Sequence, residues 1–192
     1  MIETIIKYFD SLNIEVTQSL EREFLQFQKK NYSSGELFHR EGSICNKIGF
    51  IASGKVRHYY NIDGKDMTRW VSLPNTFMTS FASFVSEQPS LDNLECIEDS
   101  CIYVTNKEHF DHVKAKFPEI NLVWTKALEQ EMIGYEYRVY QLITKDAEKR
   151  YLDLQEKYPT LIQEVPQKYL ASMLGIEPRH LSRIRKKLSQ KS

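Results

Sequence analysis

The chain has 192 residues, 41% of them hydrophobic and 27% charged, with 26 basic and 26 acidic side chains. That composition is globular and excludes disordered and fibrous chains, and no run of about 18 apolar residues exists to span a membrane. The zero net charge hides an asymmetry: residues 165–192 carry seven bases against one acid, Glu177, while the rest carry 19 bases and 25 acids. A basic end on an acidic body points to a polyanion partner at that end.

The length suits one ordinary domain plus a small one, or a single larger one. The start, MIETIIKYFDSLNIEV, has Glu3 early and only short apolar runs, so no secretory signal is expected. Residues 1–30 read as helical, with Ile14, Leu20, Phe24 and Phe27 recurring at near-helical spacing. From Tyr32 to about Val104, short β-rich runs alternate with turn signals at SSGE (33–36), EGS (41–43), SGK (53–55) and DGK (63–65). IGFIA (48–52), VRHYY (56–60) and TRWVSL (68–73) lie between them, and such evenly spaced strands argue for an antiparallel sandwich or barrel. The Asp63-Gly64 pair is a hairpin signal. LECIED (94–99) and CIYVTN (101–106) form a second β-like pair.

A long helix begins near Pro118, which suits a first helical turn. Trp124, Leu128, Met132, Tyr135, Val139 and Leu142 follow at spacings of three and four. This apolar stripe is either packed on its own domain or paired with its copy in a second subunit, and its length favours the dimer. A further helix over about 145–157 ends at Tyr158-Pro159.

The segment QKYLASMLGIEPRHLSRIRKKL (167–188) predicts a helix-turn-helix. The first helix runs from Gln167 to about Leu174, Ala171 permits a close crossing, and Gly175 supplies the positive φ of a tight turn. Pro178 opens the second helix, and Leu170, Leu174, Ile176, Leu181 and Ile184 form the shared core. The outward face of the second helix carries Arg179, His180, Ser182, Arg183 and Lys186. Arginine there suits guanine in a major groove, whereas Gln167, Lys168 and Lys187 suit phosphates. The bland alternative is a two-helix corner with a solvated basic face.

Taken together, residues 10–190 resemble the Crp/Fnr family of bacterial transcription regulators. The resemblance rests on SSGELFHREGSICNKIGFIASGKVRHYY with glycines at 35, 42 and 54, on the long helix, and on LASMLGIEPRHLSRIRKKL near the end, which is similar to versions in Bacteroidetes. It implies an α+β chain: an N-terminal antiparallel β-roll (a double-stranded jelly-roll, cyclic-nucleotide-binding-like) with flanking helices, a long dimer helix and a C-terminal helix-turn-helix. The expected divisions are 1–117 for the sensor, 118–144 for the dimer helix and 145–192 for the DNA-binding part, with little room for a wing before Ser192. A cytoplasmic homodimer reading two half-sites of double-stranded DNA follows. RNA polymerase and an unidentified small-molecule effector are further candidate partners, and no cofactor or membrane is implied.

The nucleotide cassette departs from the family pattern. Aligned on Gln88-Pro89 and Glu95, the family's Gly-Glu pair falls at Ser80-Phe81, and its Arg and the residue after it fall at Ser90 and Leu91. No cation is left there for a cyclic phosphate and no carboxylate for the ribose, and Asp92 would repel an anion, so the pocket is expected to reject cAMP. Phe77, Phe81 and Phe84 are candidates to fill it. No histidine among His39, His58, His109 and His112 stands out as a haem ligand. Cys45, Cys96 and Cys101 read as reduced thiols, the last two disfavoured as thiolates by acidic neighbours. Zinc-ligand spacing, GxGxxG, GxxxxGK[ST] and GxSxG are absent. A cupin-type enzyme would need an HxH metal set that the chain lacks, so no catalysis is expected. The remaining alternative is an effector-responsive protein whose basic C-terminus binds something other than DNA.

Overall fold

The computed structural model describes residues 2–190, so Lys191, counted above in the basic segment, lies outside it. Helices α1 (Ile2–Ser11) and α2 (Gln18–Phe24) lead into β1 (Gln28–Tyr32), β2 (Leu37–His39), β3 (Lys47–Ser53), β4 (Val56–Ile62), β5 (Lys65–Ser72) and β6 (Phe77–Met78). A short α3 (Phe81–Ser86), strands β7 (Asn93–Cys96) and β8 (Ser100–Asn106), and helices α4 (Lys107–Lys116), α5 (Pro118–Thr144), α6 (Ala147–Lys157), α7 (Pro159–Glu164), α8 (Gln167–Met173) and α9 (Pro178–Ser189) complete the order.

The single N-terminal helical stretch expected over 1–30 is divided. Asn13 sits in the left-handed region at φ 57°, which asparagine tolerates better than most residues, and the chain turns there. Thr17 then caps α2, its side chain accepting from the Leu20 amide at 3.3 Å. Residues 28–32 are a strand paired with β8, not the end of a helix. Ile14, Leu20, Phe24 and Phe27 do share one core. Burial unites these four, and a loop residue imitates the helical period.

The strands form two antiparallel sheets, β1-β8-β3-β6 and β2-β7-β4-β5. The adjacent strands β7 and β8, which read as a pair, belong to different sheets, so the chain crosses the roll between them. Phe38, Ile51, Val56, Met78, Leu94 and Ile102 fill the space between the sheets. Gly54, in the β3–β4 turn, has φ +87°, and a Cβ there would collide with Ser100. The β4–β5 hairpin turns at Asp63 and Gly64, both left-handed at φ 51° and 79°, as a two-residue type I′ turn requires.

A second core lies outside the roll, where α1, α2, α4 and the first turns of α5 cover Ile48 and Phe50. Phe77 packs edge-on against Phe50 at 4.9 Å and Tyr8 at 5.5 Å, and Phe84 against Phe110 at 5.6 Å. Phe77 and Phe84, candidates to fill the cassette pocket, therefore build the helix-covered core instead. Helix α4, absent from the sequence reading, begins where the Asn106 side chain accepts from the His109 amide at 2.8 Å. Its apolar face has only two buried positions, Phe110 and Val113, too few to set a period.

The third core joins α6 to α9 and reaches back to the roll through Val71, with Trp70, Leu73 and Ile97 packed against it. The C-terminal helices are thus docked on β5. The Thr68 amide donates to Ser172 Oγ at 2.8 Å, and the Arg57 guanidinium lies 4.9 Å from the centre of the Tyr169 ring.

Candidate nucleic-acid interface and nucleotide cassette

Helices α8 and α9 form the expected two-helix corner. Leu170, Ala171 and Leu181 are fully buried, with Met173, Leu174 and Ile184 beside them and Ile176 partly covered. Gly175 has φ +67°, the left-handed conformation that the turn needs. Pro178 is the first residue of α9, where its missing N–H leaves no carbonyl unpaired.

The outward face of α9 divides its cations into two sets. Arg179, Arg183 and Lys186 are exposed at positions i, i+4 and i+7, one side of the helix, with His180 and Ser182 between them. Among the described residues, none of the three cations has an ion-pair partner. Arg185 points the other way, donating to Tyr151 Oη and the Ile162 carbonyl, both at 3.2 Å, and fastens α9 to α6 and α7. Lys187 pairs with Glu148 at 2.5 Å. Gln167 Nε2 donates to the Pro178 carbonyl at 3.1 Å and to Ser182 Oγ at 2.6 Å, which ties the start of α8 to α9. Lys168 remains exposed, 4.6 Å from the centre of the Tyr169 ring. Of the three residues expected to meet phosphates, two are engaged within the fold. Spacing alone gave no sign of this, because their partners lie 15 and 39 residues away.

Two arginines outside the motif hold the C-terminal end of α8. Arg138 Nη2 donates to the Met173 carbonyl at 2.8 Å, and Arg150 donates to the Leu174 carbonyl through Nε and Nη2 at 3.2 and 2.9 Å. Cations suit this end of a helix because its last carbonyls are unpaired and carry the negative end of the dipole. The α5–α6 bend is pinned at Asp153, which pairs with Lys145 and accepts from Gln141 at 2.7 Å and Tyr137 at 3.2 Å. The Lys145 ammonium holds the Asp153 carboxyl below its ordinary value. Sequence reasoning missed both devices, since each needs helices brought together by the fold.

The cassette region is occupied by the chain's own polar groups. Ser80, the residue before α3, is buried and donates to Asp92 Oδ1. Asp92 is also buried and pairs with Arg69 of β5 at 3.3 Å. Arg69 reaches Tyr135 Oη on α5 through Nη1 and lies 3.4 Å from His58 Nδ1 through Nη2. Ser90 shares a hydrogen bond of 2.8 Å with His39 Nε2 and donates to the Asp92 carbonyl at 3.1 Å. Leu91 is 81% exposed and Phe81 stacks on Trp124 at 5.3 Å. A cation is therefore present, contrary to the expectation that none remained. It comes from β5 rather than from the cassette, and its charge is already matched by Asp92. Burial pushes His58 well below its ordinary value, and Arg69 adds to that, so its imidazole is neutral. Burial also raises the Cys96 thiol to about 11, with Glu36 and Glu95 adding their repulsion. His109 bonds to Thr105 at 2.8 Å and approaches Glu23 at 3.3 Å. Among the described residues no cluster of metal-ligating side chains occurs.

Of the residues expected in the dimer stripe, Trp124 packs inward against Phe84 and Phe110, and Tyr135, 41% exposed, also bonds to Arg69. The outward face of α5 instead adds Ile133, Tyr140 and Ile143 (58%, 53% and 78% exposed) to the expected Leu128, Met132, Val139 and Leu142 (38%, 67%, 55% and 50%).

Residues 29–116 match the family model described as Cyclic nucleotide-binding domain. No curated protein matches the chain. Among solved structures, a CooA mutant from Carboxydothermus hydrogenoformans is 19% identical with a TM-score of 0.73, over 95% of this chain and 84% of that one. The c-di-GMP responsive global regulator CLP of Xanthomonas campestris is 16% identical with a TM-score of 0.72, over 90% and 91%. A regulator from Eubacterium rectale described as of the crp/fnr family is 13% identical with a TM-score of 0.69, over 96% and 88%. The roll is thus similar to a cyclic nucleotide-binding domain over residues 29–116. From α1 to α9, the chain has the fold of the Crp/Fnr regulators.

Proposed function

We propose that this chain is a sequence-specific DNA-binding transcription regulator of the Crp/Fnr type. The observation that carries the reading is the unpaired ladder of Arg179, Arg183 and Lys186 along the open face of α9. Elsewhere the chain's half-buried arginines are held by acids, backbone carbonyls or a tyrosine hydroxyl, and a row left unengaged on a helix of major-groove dimensions suits base edges and phosphates. Arg179 and Arg183, in the first two turns, read bases, and Lys186 and Lys168 meet phosphates.

The regulator acts as a homodimer through the apolar outward face of α5, whose exposed Met132, Ile133, Val139 and Ile143 are costly to leave in water. The functional division places the sensor at 1–117, the dimer helix at 118–144 and the DNA-binding part at 145–192, although Ile120 and Val123 anchor α5 in the sensor core. The cassette does not take cAMP. A cyclic phosphate entering it would have to displace Asp92 from Arg69, leaving a buried carboxylate unpaired beside an anion. Arg69 instead links the cassette to Tyr135 of α5, the connection that a ligand would otherwise supply. The chain is not an enzyme in this reading. No described helix is long and apolar enough to cross a membrane, which suits a cytoplasmic protein.

The test is selection of duplexes from a random DNA pool by the purified chain without added ligand. Enrichment of a two-fold symmetric site is the expected result. Enrichment of no sequence, with the chain folded and dimeric, would overturn ligand-free operator binding, and a calorimetric cAMP affinity in the micromolar range would overturn the closed cassette.

A further inference from the structure

A cavity of about 380 Å³ lies outside the roll, between the outer face of the β1-β8-β3-β6 sheet and helices α1, α4 and α5. Its walls are aromatic, and both of the chain's tryptophans, Trp70 and Trp124, line it. An apolar void of this size exceeds the roughly 150 Å³ that admits benzene in an engineered core. Among the described residues, its polar lining besides Thr76, the tyrosine hydroxyls and the indole N–H groups is Gln130 and Glu131. These two residues, with Trp70 and Tyr158, also line a second cavity of about 160 Å³ under the C-terminal helices, which Arg69, Arg138, Arg150, Asp153 and Lys157 reach.

The charges of the second cavity do not cancel. Arg69 is matched by Asp92 and Asp153 by Lys145. Arg138 and Arg150 line it too, and among the described residues neither has an acidic partner; both bond only to backbone carbonyls. Burial lowers Arg138, and its neighbours Arg69 and Arg150 add repulsion, as uncompensated cations do. Burial raises Glu131 from its ordinary value, against the pull of the Arg69 guanidinium.

We propose that the two cavities together form a binding site for one amphipathic organic acid, its apolar body in the larger cavity and its carboxylate directed past Gln130 and Glu131 to Arg138 and Arg150. The site adjoins the nucleotide cassette, sharing Phe81 with the larger cavity and Arg69 and Tyr135 with the smaller, but the arginines that receive the carboxylate lie outside the cassette. Its occupant would touch β5 at Trp70, α5 along Ala127 to Glu131, and the α6–α7 junction at Tyr158. The arginines that receive the carboxylate are the ones that hold the Met173 and Leu174 carbonyls at the end of α8. Filling the site would therefore compete for the clamp that sets the helix-turn-helix against α5.

The test needs no DNA, so its outcome is independent of the operator reading. The full chain, freed of lipid, is titrated with dodecanoate and with dodecanol below their aggregation limits, by calorimetry and tryptophan emission. Dodecanoate is expected to saturate at one per chain and change the emission, its ω-bromo analogue to quench more strongly through contact with a tryptophan, and dodecanol to bind about tenfold more weakly for want of charge-assisted bonds. Ala127→Phe fills the cavity and should weaken both ligands by about tenfold or more, whereas Arg138→Gln should weaken the acid alone. No saturable binding of either ligand overturns the site. Equal affinity for acid and alcohol overturns the anionic end. Unchanged binding by a folded Ala127→Phe, or no extra quenching by the bromo analogue, overturns the location.

Discussion

The open face of α9 and the buried cassette are built from the same kinds of side chain and put them to opposite use. On α9, Arg179, Arg183 and Lys186 stand in water without acidic partners among the described residues. In the cassette, Arg69, Asp92 and Ser80 are matched to one another largely out of water, and Arg69 also reaches the exposed Tyr135. An exposed cation loses little by waiting for a phosphate, whereas a buried one must be matched at once or the fold pays heavily. A polar group left free marks a surface meant for a partner; one already matched holds the structure.

The contrast is broken hardest by Asp92→Ala. It leaves the Arg69 charge buried without its acid, and should cost about 3 kcal/mol or more of stability in urea titration, with no direct effect on DNA contacts. Leu181→Ala, in the core shared by α8 and α9, should cost about 2–5 kcal/mol and loosen the C-terminal module. Arg183→Ala and Arg179→Ala should do the reverse: stability unchanged, and operator affinity in a salt-controlled binding assay reduced by about 1–3 kcal/mol each. If both leave operator affinity intact, the recognition face is misassigned.

His58 sharpens the comparison through pH. Its folded pKa lies well below 6.5, so it contributes stability above about pH 6.5, and that contribution falls as the pH drops toward the folded value. One proton taken up on unfolding gives a slope that approaches about 1.4 kcal/mol per pH unit as the pH falls below about 6.5. His58→Gln should flatten that slope in urea titrations across the range. The smallest effect belongs to Lys187→Ala. Because Glu148 already holds this ammonium at 2.5 Å, the salt dependence of DNA binding should change by well under one phosphate contact, and stability by no more than about 1 kcal/mol.

Much of this was legible without coordinates. The Asp63-Gly64 hairpin, the Pro118 start of α5 and the turn at Gly175 each depend on one or two residues whose backbone preferences are intrinsic. The apolar stripe of α5 was legible as a stripe but not in its facing. Trp124 and Tyr135 have the right spacing, yet one is drawn into the aromatic core and the other onto Arg69, and spacing does not reveal what stands opposite. The bonds that hold Gln167 and Lys187 within the fold escape the spacing for the same reason.

The sequence by itself determined the local backbone: where turns fall, where the helices of the C-terminal motif start and cross, and which end of the chain is basic. Those properties follow from φ preferences, helix period and residue charge, all short-range. Tertiary structure alone decided which charges remain free. Arg69 meets Asp92 across 23 residues, Lys187 meets Glu148 across 39 and Arg138 meets the Met173 carbonyl across 35. Each pairing depends on how two distant elements pack, and packing fixes the desolvation that makes a charge seek its partner inside the molecule or wait for one outside it.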